Sequence, residues 1–286
     1  KAIQFPLLLI IIGAIFTALI QSSSAATGVV ITMVGTGILD LGSSLFIILY
    51  LYMKKIILLV FSIVVCATIA DAKPKTLWLV SDGAAANYID STLAVGWGTS
   101  FQQYIHPRIS FINLSEEGMS AKVFEATGLI EQMKKLRRGS YVFLQFGTND
   151  LKEKKRKTYS SPDALSRRIS KIIATAHQHR INIILLTPLA QPYYKEGKLI
   201  DRLGSYPDEI RHIAIYYHLP LLDLEQLTSE WLSSMTEEEA AKYYITPQLP
   251  QEEYKLTAEG AEIVAQMAND AIKNGKSKKL KKVLNK

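Results

Sequence analysis

Thr76 to Asn87 reads TLWLVSDGAAAN. An apolar run rich in β-favouring residues stops at Ser81-Asp82-Gly83 and gives way to a run of small residues. That is how the first strand of a parallel α/β sheet hands its chain to a helix. Ligand sites in such sheets lie just past the carboxyl ends of the strands, so the search for chemistry starts at Gly83, a residue with no side chain.

Outward from this stretch, strand and helix patterns alternate. Strands are predicted at 76–80, 109–114, 141–146, 182–186 and 221–224, and helices at 84–95, 120–136, 162–179, 207–218 and 257–273. Five βα units joined by right-handed crossovers make an α/β fold, a doubly wound, mostly parallel five-stranded sheet with helices on both faces. The domain spans 73–275, ample for a core, and a lysine-rich tail, 276–286, is read as a solvated end.

Composition is uneven along the 286 residues. Three of the 33 Lys and Arg and two of the 26 Asp and Glu fall in residues 1–72; seven Lys and no acid lie from Lys273 onward. Residues 73–272 therefore hold 23 cationic and 24 anionic side chains, so the tail carries most of the net +7. No basic stripe with interleaved aromatics appears elsewhere, and nucleic acid is not an expected partner. Metal-ligand spacing, a Walker loop and G-x-G-x-x-G are absent, so neither metal nor cofactor is expected.

The apolar excess sits at the amino terminus. Phe5 to Ile20 and Ala25 to Val34 flank the polar break Gln21-Ser22-Ser23-Ser24, and with Leu45 to Tyr52 they read as hydrophobic membrane helices. Met53-Lys54-Lys55, Ile56 to Ile69 and Ala70-Asp71-Ala72 then form the n-region, h-region and A-x-A site of a secretory leader. Cleavage after Ala72 predicts a secreted or periplasmic domain. Without cleavage the chain is membrane-anchored through residues 5–70, with 53–72 a further membrane helix. The only cysteine, Cys66, lies in the h-region, which leaves the exported part without thiol or disulfide.

Two resemblances follow from these motifs. QSSSAATGVVITMVG, within residues 1–52, resembles the Gln-Ser-Ser-Ser signature of the sodium/phosphate cotransporter family and implies a fragment of such a transporter, covering one repeat. In residues 74–273, the ordered blocks Ser81-Asp82-Gly83, Gly96-Trp97-Gly98, Gly118-Met119-Ser120, Gly147-Thr148-Asn149-Asp150, Thr187-Pro188 and Leu256-Thr257-Ala258-Glu259-Gly260-Ala261 look like the SGNH (GDSL-type) hydrolases, rhamnogalacturonan acetylesterase branch. That resemblance implies a flavodoxin-like sheet and an ester hydrolase acting on acetylated polysaccharide or another small ester.

Carried over residue by residue, the resemblance places Gly118 and Asn149, with the Gly83 N–H, in the oxyanion hole. It also puts Gly83 at the nucleophile position, Glu252 at the aspartate and Lys255 at the histidine. An ester hydrolase needs an activated hydroxyl, a base and fixed donors for the oxyanion. Losing nucleophile or base typically costs about 10⁶-fold in kcat. A lysine, with a reference pKa near 10.4, is unprotonated in roughly one molecule in 2,500 at pH 7, and a Glu252–Lys255 ion pair is the simplest reading of the base position. Ser81 and Ser120 are read as structural hydroxyls, His106, His177, His179, His212 and His218 as surface or helix-end residues. Trp97, Tyr193 and Tyr194 are candidates for stacking on sugars, and Lys152 to Lys157 for meeting an anionic polysaccharide or merely solvating a loop. Three functions stay open: a carbohydrate-ester-binding pseudoenzyme, an active acetylesterase with rearranged groups, and a membrane protein linked to phosphate transport.

Overall fold

The computed structural model describes residues 27–70, 74–88, 93–152, 154–246 and 254–284, leaving aside the side chains at 51, 52, 55, 62–70 and 279. The chain divides into two compact units, Lys1–Ala72 and Lys73–Lys286.

In the first unit helix α1 covers 27–35 and α2 runs from Leu41 to Ala70. Asp40 caps α2 by accepting the Ser43 N–H at 2.9 Å. The helix passes unbroken through Met53-Lys54-Lys55, so the start of the expected leader is helix interior. Phe46 and Phe61 are among its exposed apolar side chains. Among the described residues, no helix is long and apolar enough to cross a membrane. The expected membrane helices are thus not found there, and residues 1–26 and much of the apolar half of α2 lie outside the side-chain description.

The second unit is built on strands β1 (Lys75–Val80), β2 (Ile109–Asn113), β3 (Tyr141–Gln145), β4 (Asn182–Leu186) and β7 (Leu221–Leu222), all parallel, in the order β2-β1-β3-β4-β7. Period-two alternation sends Leu77, Leu79, Phe143 and Leu186 to one face. There they pack with α3 (Trp97–Phe101), α8 (Leu224–Ser233) and α10 (Ala258–Asn274). Trp78, Val80, Val142, Leu144 and Leu185 face the other way, onto α4 (Ala121–Ala126), α6 (Pro162–Gln178) and α7 (Tyr206–Tyr216). Strands buried on both faces are why these stretches are almost continuously apolar. Two small hairpins, β5–β6 (Tyr194–Lys195, Lys198–Leu199) and β8–β9 (Tyr244–Ile245, Lys255–Leu256), complete the strands.

Three expectations change. The helix predicted over 84–95 does not form in the described part: Gly83–Ala85 makes one 3₁₀ turn and Ala86 is extended. The Ala85 carbonyl is taken by Asn113 Nδ2 at 2.6 Å, and the backbones of Gly96 and Gly98 press onto Ala85 and Ala86. A Cβ on Gly96 would lie 2.2 Å from the Ala86 oxygen. A continuing helix would need that carbonyl and that space. The helix predicted over 120–136 is two short ones, α4 and α5 (Leu129–Met133), broken at Gly128 with φ +74°. The third concerns the lysine-rich tail, which does not stay in solvent. Its helix α11 (Lys278–Lys281) turns Leu280 inward, Val283 and Leu284 follow into the core, and the Val283 carbonyl accepts the His106 N–H at 2.8 Å. The lysines ride on an amphipathic end whose apolar side completes one face of the sheet.

Both core clusters lie wholly within Lys73–Lys286, so this unit carries its complete core. Val283→Asp places a charge in a fully buried site and is expected to cost about 3 kcal/mol or more, roughly 10 °C in melting temperature. Lys282→Ala, one residue away and exposed, is expected to leave thermal unfolding unchanged.

Candidate active site

The carboxyl ends of β1, β3 and β4 are tied together by a buried polar network. Gln145, the last residue of β3, accepts the Ser81 hydroxyl and the Trp97 indole N–H (3.3 Å) on Oε1, and donates from Nε2 to the Thr187 carbonyl at 2.9 Å. Ser81 is completely buried. Its hydroxyl is a strut between strands and faces no cleft. Asp82 turns back to cap the 3₁₀ turn, accepting the Ala84 N–H at 3.0 Å.

Gly83 begins that turn, and its carbonyl accepts the Tyr88 hydroxyl at 2.8 Å. The loop after β2 is anchored beside it, the Glu116 N–H donating to the Ser81 carbonyl at 3.2 Å. Gly118 follows with φ +78° and open space where a Cβ would stand. A left-handed backbone at this point favours glycine, and the missing side chain leaves the peptide open. Asn149 is 1% exposed and donates from Nδ2 to the Met119 carbonyl at 3.0 Å, while its Oδ1 is buried with no hydrogen-bond partner. One N–H of the amide is therefore committed to holding the Gly118 loop.

Lys255 enters from the opposite wall on β9, where backbone bonds on both flanks fix it: Val95 N–H to Leu256 O and Thr257 N–H to Tyr243 O, both 3.0 Å. A residue at 260 must come equally close to that wall, since a Cβ there would meet the Tyr243 oxygen at 2.2 Å; glycine fills the position. The Lys255 ammonium pairs with Glu117 and lies 5.0 Å above the Tyr88 ring. The described partner of Lys255 is Glu117, while Glu252, the partner inferred from sequence, lies outside the described residues. At 38% and 53% exposure this pair is worth at most about 1 kcal/mol. Its importance is positional, since it joins the loop before Gly118 to β9.

Gly83, Gly118, Asn149 and Lys255 are therefore linked by a chain of contacts at the carboxyl end of the sheet. Glu117, Tyr88 and Gln145 were not singled out from sequence. The Lys255–Glu117 pair spans well over a hundred residues, and no local pattern signals it. Ser120 is buried and caps α4 through the Val123 N–H. Of the three sugar-stacking candidates only Tyr193 is exposed, with the Arg202 guanidinium 4.8 Å over its ring. Trp97 is fully buried, and the Tyr194 hydroxyl is spent on the Leu232 carbonyl. Among the described residues no group of His, Cys, Asp and Glu is arranged to hold a metal.

At the residue after Asn149, burial pushes the Asp150 carboxyl up to about 6, against the pull of the Ala121 and Gly147 N–H groups that donate to it. A carboxyl whose pKa is higher folded than unfolded binds its proton more tightly in the native chain. Its stabilising contribution is complete below about pH 4 and is lost as pH rises through about 6. Stability is expected to fall by up to about 3 kcal/mol over that interval through this group, and Asp150→Asn is expected to flatten that part of the curve in chemical denaturation.

The geometry can be set beside known proteins. The family model of the Na+/Pi-cotransporters matches residues 1–52. The chain is 24% identical over 199 residues to the probable rhamnogalacturonan acetylesterase YesY of Bacillus subtilis, covering 69% of this chain and 92% of that protein. It is also 24% identical over 176 residues to the rhamnogalacturonan acetylesterase RhgT of the same organism, covering 60% of this chain and 75% of that one. Among solved structures, Bacillus subtilis YxiM shares the fold with a TM-score of 0.61 at 24% identity, over 70% of this chain and 56% of that structure's length. Axe2, an acetylxylan esterase from Geobacillus stearothermophilus, shares it with a TM-score of 0.50 at 17% identity, over 68% and 91%. The chain thus has SGNH/GDSL-type, rhamnogalacturonan acetylesterase-like homologues and structural neighbours, preceded at residues 1–52 by a match to the Na+/Pi-cotransporter family.

Proposed function

We propose that Lys73–Lys286 is a carbohydrate-ester-binding domain of SGNH type whose hydrolytic machinery has been dismantled, a pseudoenzyme for acetylated polysaccharide. The observation that carries this reading is the pairing of Lys255 with Glu117 across a cleft in which Gly83 offers no hydroxyl. An ammonium in an ion pair has no lone pair with which to take a proton from a nucleophile, and no side chain stands at Gly83 to be activated. Gly118 and Asn149 are read as the surviving oxyanion donors, able to seat an ester carbonyl, and Glu252 as the vestigial orienter of the base.

An active esterase with rearranged groups has less support. Ser81 and Ser120 are buried and engaged. His106, His177, His179 and His218 flank the amino ends of strands, the end of the sheet away from this cleft, and His212 is exposed on α7. The carbohydrate reading rests on the similar proteins, which include a rhamnogalacturonan acetylesterase and an acetylxylan esterase, and on the exposed Tyr193.

Turnover of an acetylated oligosaccharide by the purified chain is expected at background. The Gly83→Ser, Lys255→His double variant is expected to exceed it by at least about 10²-fold, since the two changes restore nucleophile and base above intact donors. The 3₁₀ backbone at Gly83 is right-handed, a conformation open to serine. Turnover by the parent that disappears in Ser81→Ala or Ser120→Ala would instead establish the rearranged esterase. We further read the domain as exported on the Met53–Ala72 pattern: mass spectrometry of the mature protein is expected to find a chain beginning at Lys73.

A further inference from the structure

We propose that the amino-end face of the sheet, opposite the cleft, is a docking surface for an anionic phospholipid bilayer. In a parallel sheet every strand begins on the same side, so the residues just before each strand share one face of the molecule. Here those residues are basic. Lys75 opens β1, Arg108 precedes β2, Arg137 and Arg138 precede β3, and Arg180 precedes β4, all exposed. Contacts make them neighbours. The Lys75 Nζ lies over Gly139, 3.4 Å from where its Cβ would stand, and the Gly139 N–H donates to the Arg180 carbonyl at 2.8 Å. On the other flank the docked tail adjoins His106, and α11 sets Lys278 and Lys281 outward.

Charge alone has an ordinary explanation at some of these positions, because cations near helix C-termini offset the helix dipole. That account does not reach Arg108, which is preceded only by the short α3 and a single 3₁₀ turn. Nor does it explain the apolar groups on the same face. Ile215 (70% exposed) and Tyr216 (77%) end α7, and Tyr217 packs edge-on against Tyr216 with ring centroids 4.9 Å apart. Beside them β7 pairs only with the last two residues of β4, leaving a depression of about 700 Å³ walled by Ile181, Ile183, Leu219 and Leu280, with Tyr217 and His218 at its rim. Basic residues surrounding exposed tyrosines and an apolar recess match a lipid surface: phosphates meet the cations, tyrosine rings settle at headgroup level, and acyl carbon finds the recess. Carboxylates here are few among the described residues: Glu131 is paired with Lys134, and Asp270 lies beside the Asn269 amide.

Flotation with phosphatidylcholine vesicles, with and without about 30 mol% phosphatidylglycerol, tests the proposal on the full chain and on residues 73–286, whose core is complete in itself. Binding to the anionic vesicles is expected to exceed binding to neutral ones by at least about tenfold and to fall between about 0.1 and 0.5 M salt. Arg108→Glu, Arg138→Glu, Lys278→Glu and Lys281→Glu together are expected to abolish the difference with the melting temperature unchanged. Tyr216→Ser with Tyr217→Ser is expected to weaken binding while the salt dependence persists. Reversal of Lys154, Lys155, Arg156 and Lys157, on the loop at the cleft end, is expected to change nothing. Equal binding to both vesicle types, an equal loss in the loop variant, or tighter binding of soluble polyphosphate than of anionic vesicles overturns the proposal.

Discussion

Parallel pairing of β1 with β2 on one side and β3 on the other is the constraint from which the rest of the second unit follows. Its register, Leu77 opposite Phe111 and Tyr141, brings every strand's carboxyl end to one side and every amino end to the other. Loops gathered at the carboxyl side form the cleft, while the basic lead-in residues gather at the amino side. Both strand faces are buried by helices within the unit, so the polarity of the molecule runs along the strands and not across the sheet.

At the cleft end the polar groups do structural work that in an active hydrolase would be shared with catalysis. Ser81 ties β1 to Gln145 on β3, Gln145 ties β3 to the turn after β4, and Asn149 holds the Gly118 loop through Met119. Such buried networks are costly to leave half-made. Lys255, partly exposed at the same end, has its cation satisfied by Glu117.

The lysine-rich end shows how a single run of residues serves two purposes. Leu280, Val283 and Leu284 close one face of the core, while the intervening lysines remain in solvent. Read by charge the run is a solvated tail, and read by its period it is the last element of the fold. Period decides, because burying three aliphatic side chains outweighs the entropy of ordering a short helix already anchored at α10.

Strand positions, the order of α6, α7 and α10, and the α/β class with helices on both faces of the sheet were all legible in the sequence, because a strand buried on both faces must be apolar throughout and a covering helix must show its 3.6-residue stripe. That Gly83 carries no hydroxyl and Lys255 no imidazole is a matter of residue identity and needs no fold to read. What the sequence did not contain was who meets whom. The fold chose Glu117 and Tyr88 as the company of Lys255, spent Asn149 on Met119, and opened the expected helix after β1 so that Gly96 and Gly98 could lie against Ala85 and Ala86. Contacts between residues far apart in the chain are set by the sheet's crossovers and by close backbone approach, and neither leaves a periodic trace in the residues that make them.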